Sequence, residues 1–198
     1  RKQEDWKFLD ISQIIKKNIS DLSFFNDYSS PNKIDPSIFV DGLEHNKIIF
    51  INGRIEKIDF SYEDQNKIEI KDEIEKNISF DYENSLIDLN SAFINKVFKI
   101  IVNKNYSLKK PLIIYHSTNE KVKSTNVNLR LDFELGENSC LRLIDFFTDN
   151  PNKNFINIFY NFNLLKDSIL KNYKIDKFKN DNLKYSFNNI EQGNNSVS

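Results

Sequence analysis

Methionine is absent from all 198 residues, position 1 included, so the sequence reads as a segment of a longer chain. There is one cysteine, Cys140, which excludes a disulfide framework within the chain and leaves no C-x-x-C spacing for zinc or a cluster. The four glycines, Gly42, Gly53, Gly136 and Gly193, stand far apart, so no glycine-rich phosphate loop can form. Charge of either sign is not in excess: 28 Lys and Arg face 29 Asp and Glu. That balance gives no electrostatic case for nucleic acid or for a membrane surface. No uncharged run reaches the ~20 residues of a membrane span. The start, Arg1-Lys2-Gln3-Glu4-Asp5, is charged and lacks the apolar stretch of a secretion signal, so an intracellular location is expected. H-E-x-x-H and nucleophile-elbow patterns are missing as well.

What is present is a β-rich pattern with material for a core: 39% of residues are hydrophobic and 17 are Phe. Five strand-like runs begin near Val127, Cys140, Phe155, Ile169 and Leu183, at steps of 13, 15, 14 and 14 residues. Turn-type residues separate them: Gly136-Glu137-Asn138, Asn150-Pro151-Asn152, Lys166-Asp167 and Asn180-Asp181-Asn182. Alternation assigns the inward face. Val127, Leu129, Leu131, Phe133 and Leu135 point in on the first run, and Ile156, Ile158, Tyr160, Phe162 and Leu164 on the third. On the fifth, the same rule turns Leu183, Tyr185 and Phe187 inward. The second run, Cys140 to Thr148, is apolar on both faces, which predicts a cover over its outer side. Periodicity leaves an antiparallel meander and a parallel β-helix both open. In a β-helix each coil would take two runs, roughly 28 residues.

Upstream, Trp6, Phe8, Leu9, Ile11, Ile15 and Ile19 recur at helical spacing, predicting a helix over 1–25 packed on its own domain. Ser29-Ser30-Pro31-Asn32 and Asp35-Pro36 predict a loop. Residues 47–60 read as a hairpin about Asn52-Gly53, a pair suited to a type I′ turn. Ile68, Ile70, Ile74 and Ile78 mark a short helix or strand. Residues 85–102 start helical and end as a strand, and Pro111-Leu112-Ile113-Ile114-Tyr115 is a further strand.

Five of these stretches, in order, resemble a known family. Arg1-Lys2-Gln3-Glu4-Asp5-Trp6-Lys7-Phe8 is similar to the R-x-x-E-x-W-[KR]-[FY] opening of SufD, a subunit of the SUF iron–sulfur cluster assembly scaffold. Phe50-Ile51-Asn52-Gly53-Arg54 resembles its strand–Asn-Gly–strand element. Leu89-Asn90-Ser91-Ala92-Phe93, followed by Lys99-Ile100-Ile101-Val102, resembles its L-N-x-A-[FL] helix and strand. Lys110-Pro111-Leu112-Ile113-Ile114 resembles its K-P-[IL] strand, and Leu135-Gly136-Glu137-Asn138-Ser139 its first full β-helix rung. Asn95-Lys96 departs from the Asp-Gly common after that helix. The resemblance implies a mainly β protein: a short N-terminal α/β segment over 1–110, then the first rungs of a right-handed parallel β-helix over 111–198. It implies a non-catalytic scaffold that pairs with a SufB-like subunit and a SufC-like ABC ATPase in the cytoplasm, or in a plastid stroma. It further implies that the complex assembles a cluster which this segment does not itself bind. Further rungs are expected past Ser198, and the open edge at Val197-Ser198 predicts aggregation of the isolated segment.

The residues able to carry chemistry are few. Cys140 is the one soft metal ligand, and its ordinary reading is a small buried strand residue. His45 reads as a solvated turn residue and His116 as a strand-end residue. A metal site would need them gathered with Asp or Glu. Asp132 and Glu134 alternate with Arg130 as on a solvated sheet face. Phe155, Phe159, Phe162, Tyr173 and Phe187 fall at strand spacing and read as core. The alternative function is a carbohydrate-active or carbohydrate-binding β-helix, which predicts charged residues clustered on one sheet face.

Overall fold

The computed structural model describes Lys16 and residues 33–73, 85–94, 96–148, 153–177 and 183–198. The expected helix over 1–25 falls outside these residues except for Lys16. The Arg1 to Phe8 motif, the Ser29 to Asn32 turn, Ile74, Ile78, Asn95 and the turns at 149–152 and 178–182 also lie outside them.

Local chemistry makes the first elements. Strands β1 (Asn46–Ile51) and β2 (Arg54–Asp59) pair antiparallel around Asn52-Gly53. Those two residues hold φ of 54° and 77°, as the type I′ turn requires. Then follow β3 (Ile68–Glu73), helix α1 (Ser85–Phe93), β4 (Val97–Val102) and β5 (Leu112–Ser117). The ladder itself is β6 (Asn126–Leu135), β7 (Cys140–Thr148), β8 (Phe155–Leu164), β9 (Ile169–Lys177) and β10 (Leu183–Gln192).

The pairing is parallel, which settles the choice that periodicity left open. One sheet runs β2-β1-β5-β7-β9 and the other β10-β8-β6-β4-β3, and from β4 onward the chain crosses between them at every turn. Val97 pairs with Arg130, Val127 with Ile156 and Ile156 with Lys184, so one coil takes 33, then 29, then 28 residues. The protein is mainly β, a parallel β-solenoid of about three turns. At the N-terminal end each sheet finishes in an antiparallel strand, β2 or β3. Because β1 lies parallel to β5, both sheets draw strands from either side of residue 110. Among the described residues, no helix is long and apolar enough to cross a membrane.

One corner of the coil repeats in detail. Asn105, Asn138, Asp167 and Asn195 all adopt left-handed φ, between 55° and 58°. Asn and Asp tolerate this region better than other side chains. Each of the first three amides donates to the next coil: Asn105 N to Glu137 O (2.7 Å), Asn138 N to Lys166 O (3.0 Å), Asp167 N to Asn194 O (3.0 Å). Their side chains add rungs, Asn138 Nδ2 to Asn105 Oδ1 and Asn195 Nδ2 to Asp167 Oδ1.

The lumen between the sheets holds the main core, including Leu131, Phe133, Leu143, Ile158 and Phe162. Phe133 and Phe162, from adjacent coils, stack at 5.0 Å. The inward faces of β6 and β8 are those the alternation assigns. On β10 the assignment fails. Lys184, Ser186 and Asn188 pair with the inward residues Ile156, Ile158 and Tyr160, so they line the lumen. Leu183 and Tyr185 turn outward, where they pack with Phe155 beside Leu86 and Leu89 of α1. The helix supplies a second apolar environment outside the sheet, and apolar side chains follow the apolar surface rather than the lumen. Asn90 fixes that helix in place, donating to the carbonyls of Leu129 (3.1 Å) and Asn157 (2.8 Å), while Asn157 Nδ2 donates to Leu86 O (2.8 Å). The predicted cover over the second run is also present: Ile34, Ile38, Phe39 and Val40 lie on the outer side with Phe146 and Ile144.

Candidate functional site

The polar side chains with most chemistry gather inside the lumen, where β5 and β7 face β8. His116 shares the inward face of β5 with Leu112 and Ile114. Register places Phe50 on one side of it and Phe147 on the other. Both rings stack on the imidazole within 9° of parallel, with centroids at 5.6 Å and 4.3 Å. This sandwich fixes the ring and aims Nε2 at Asp145 Oδ1, 2.7 Å away. Asp145 is fully buried, and Tyr160 Oη sits 3.3 Å from the same nitrogen. Asp145 Oδ2 has no hydrogen-bond partner among the described residues. The neighbouring Tyr160 hydroxyl is pushed well above its ordinary pKa by burial first and then by the Asp145 charge, so it stays protonated.

The last coil closes over this cluster with lysines. Lys174, in register with Asp145 on β9, donates to Ser186 Oγ and to Asn188 Oδ1 (3.0 Å), and its ammonium lies 4.7 Å from the Tyr160 ring centroid. Although the side chain as a whole is exposed, burial of the ammonium lowers its pKa. The Asp145 charge opposes that shift and the Lys184 charge adds to it. Lys184, from β10, pairs with Asp176 and covers the Phe147 ring at 3.9 Å. Chemically the arrangement is a buried hydrogen-bonded cluster of His116, Asp145 and Tyr160, and Lys174 bridges from it to the facing sheet. A cavity that reaches His116, bounded by Phe50, Thr118, Val127 and Ile158, has room for about one water molecule.

The other sequence candidates are dispersed. Tyr115 and His116 are adjacent on β5 and so face opposite sides of the sheet. His45 joins Tyr115 on the outer side, so the two histidines cannot share a ligand. His45 is not the solvated residue the turn suggested, being 4% exposed. Its Nδ1 donates to Leu43 O (2.5 Å), its Nε2 accepts from Tyr115 Oη (2.7 Å), and that oxygen accepts from Val40 N (3.1 Å). Burial favours the neutral imidazole in this chain of bonds, which ties residues 38–40 to the sheet. His116 is no mere strand end, since it lies buried at the centre of the cluster. Arg130 departs from the solvated face expected of it: it is buried, pairs with Asp132 and stacks over Phe159. Glu134 keeps an ion pair with Lys99. Cys140 is half-buried on the outer side at the start of β7, and no group of three His, Cys, Asp or Glu able to hold a metal ion exists among the described residues.

The His45 relay carries a pH prediction. Burial is the largest influence on His45 and lowers its pKa; the Leu43 carbonyl and Asp59 oppose this, and Lys47 adds to it. A folded-state pKa below the unfolded ~6.5 means that the unfolded chain binds the proton more readily. The stability contributed by neutral His45 is therefore present above ~6.5 and falls away as pH drops through that value toward the lower folded pKa. Thermal melts of wild type should lose midpoint on acidification in that window, and His45→Phe should flatten the slope. An equal slope in both proteins would refute the assignment.

Sequence reasoning passed over Asp145 and Lys174 and placed Tyr160 only as an inward-facing strand residue. The available signal was Asp145 standing alone in the apolar run Leu143-Ile144-Asp145-Phe146-Phe147, on the inward face with Leu143 and Phe147. No protein-family model matches this chain, and no curated protein matches it.

Proposed function

We propose that this chain is a non-catalytic scaffold subunit for iron–sulfur cluster assembly, of the SufD kind, working beside a SufB-like scaffold and a SufC-like ABC ATPase. The observation that carries this reading is that the motif stretches coincide with devices of a parallel solenoid. Asn90 of Leu89-Asn90-Ser91-Ala92-Phe93 pins α1 to the sheet. Asn52-Gly53 makes the hairpin that starts one sheet, and Gly136 sits where two coils approach closely. In this reading the cluster is cargo, ATP turnover belongs to the partner, and the solenoid holds both partners in register. A parallel solenoid suits that work because its backbone ladder gives a stiff surface. The carbohydrate-active alternative predicts charged residues clustered on one sheet face; the outward rows of β5, β7 and β9 carry no carboxylate, whereas Glu69, Glu73, Lys99, Asp132 and Glu134 share the outward face of β3, β4 and β6, which is the observation that keeps it as the second reading.

The test is co-purification of the complete gene product with SufB-like and SufC-like proteins from the same source. A stoichiometric complex containing the ATPase is expected. A clean chain that recruits neither would overturn the proposal.

A further inference from the structure

The outer face of β5, β7 and β9 is an apolar surface that the described residues cover on one side only. Residues 34–40 lie across the part near β1 and β5 and reach Phe146. On β9, Tyr173 and Ile175 are 57% and 41% exposed, and register sets them beside Ile144 and Phe146. Their outward row is bounded by cations: Lys171 at one end, paired in register with Arg142, and Lys177 at the other, its ammonium 4.9 Å from the Phe146 ring. Strand alternation gives the three strands no outward-facing Asp or Glu. Neither Lys171 nor Lys177 has an ion pair among the described residues. Arg142 gives its guanidinium to the carbonyls of Leu108 (3.3 Å) and Lys109 (2.8 Å), so Lys171 is the cation at that end left to meet a carboxylate.

We infer that this face docks an acidic, extended segment of a partner protein with the pattern acid–x–apolar–x–apolar–x–acid. Lys171, Tyr173, Ile175 and Lys177 recur at every second residue, about 6.6 Å apart at the ~3.3 Å rise of a strand. An extended peptide lying along β9 has the same pitch. Its two inner side chains cover Tyr173 and Ile175, while its end carboxylates reach Lys171 and Lys177. The seating of residues 34–40 on the adjoining rows shows that this face accepts a chain segment laid flat on it. The surface stands independently of the scaffold reading, since it rests on exposure and charge alone.

The test uses the full chain and a fluorescein-labelled peptide, Glu-Ser-Leu-Ser-Leu-Ser-Glu, followed by anisotropy at low and high salt. Binding is expected to weaken with salt, because the ion pairs are exposed and screened. K171E/K177E should weaken it about tenfold and bring a gain of similar size for the peptide carrying Lys in place of both Glu. The charge swap keeps the outcome independent of folding defects. Tyr173→Ser should weaken both pairings. Equal affinity of wild type and the reversed variant, or no binding at all, would overturn the proposal. So would amine cross-links in the full chain joining Lys171 or Lys177 to Lys2, Lys7 or Lys17, which would give the face to the chain's own first residues.

Discussion

Replacing His116 by alanine is expected to destabilise the fold by about 3–5 kcal/mol, the range for breaking a buried pair by removing one partner. Asp145 is fully buried and takes its close hydrogen bond from His116 Nε2 at 2.7 Å. Without the imidazole, the carboxyl group keeps the Tyr160 hydroxyl and the Lys174 charge but loses its one close donor. The loss also opens a gap between Phe50 and Phe147, which stack on the imidazole from either side. Removing both polar partners changes the balance. H116L/D145L leaves no stranded charge, so the double variant should recover much of the loss. Denaturant unfolding of the two single variants and the double variant would measure the coupling. If the two single effects simply add in the double variant, the lumenal pair is not the interaction that its geometry indicates.

Gly136→Ala is expected to cost about 3 kcal/mol, at the upper end for forced overpacking. A Cβ at this position would lie 2.5 Å from Lys104 N and 2.9 Å from Asn103 C, both backbone atoms of the preceding coil. No rotamer relieves that contact, so the coils must separate. Separation strains Gly136 N to Val102 O (2.8 Å) and Asn105 N to Glu137 O (2.7 Å), the bonds that register the corner. Gly42→Ala is the contrasting control. Nothing lies within 4 Å of a Cβ there, and only its positive φ of 72° is strained, so about 1 kcal/mol is expected. Thermal melts of both variants would decide the matter. Equal losses would show that backbone conformation, not coil contact, demands glycine at 136.

The strands, the Asn-Gly hairpin and the corner turns at Asn138 and Asp167 were legible because their causes are local, while the matching corner at Asn105 was not read. Alternation is set by the pleat, and left-handed φ selects Asn, Asp or Gly whatever lies far away. The apolar outer side of β7 likewise announced its own cover. The cluster was not legible, although His116 and Asp145 lie 29 residues apart, within two of the 31-residue coil that joins β5 to β7. That coincidence has meaning only once the pairing is known to be parallel, and hydrophobic periodicity is the same for either direction.

By itself, then, the sequence determined where the chain is extended, where it turns and which residues are amphipathic. Tertiary structure alone decided which apolar face points inward. On β8 that face meets the lumen. On β10 it meets α1, and the lumen receives Lys184, Ser186 and Asn188 instead. A strand records that it has an apolar side, but burial depends on the surface opposite, and that surface is supplied by residues distant in the chain.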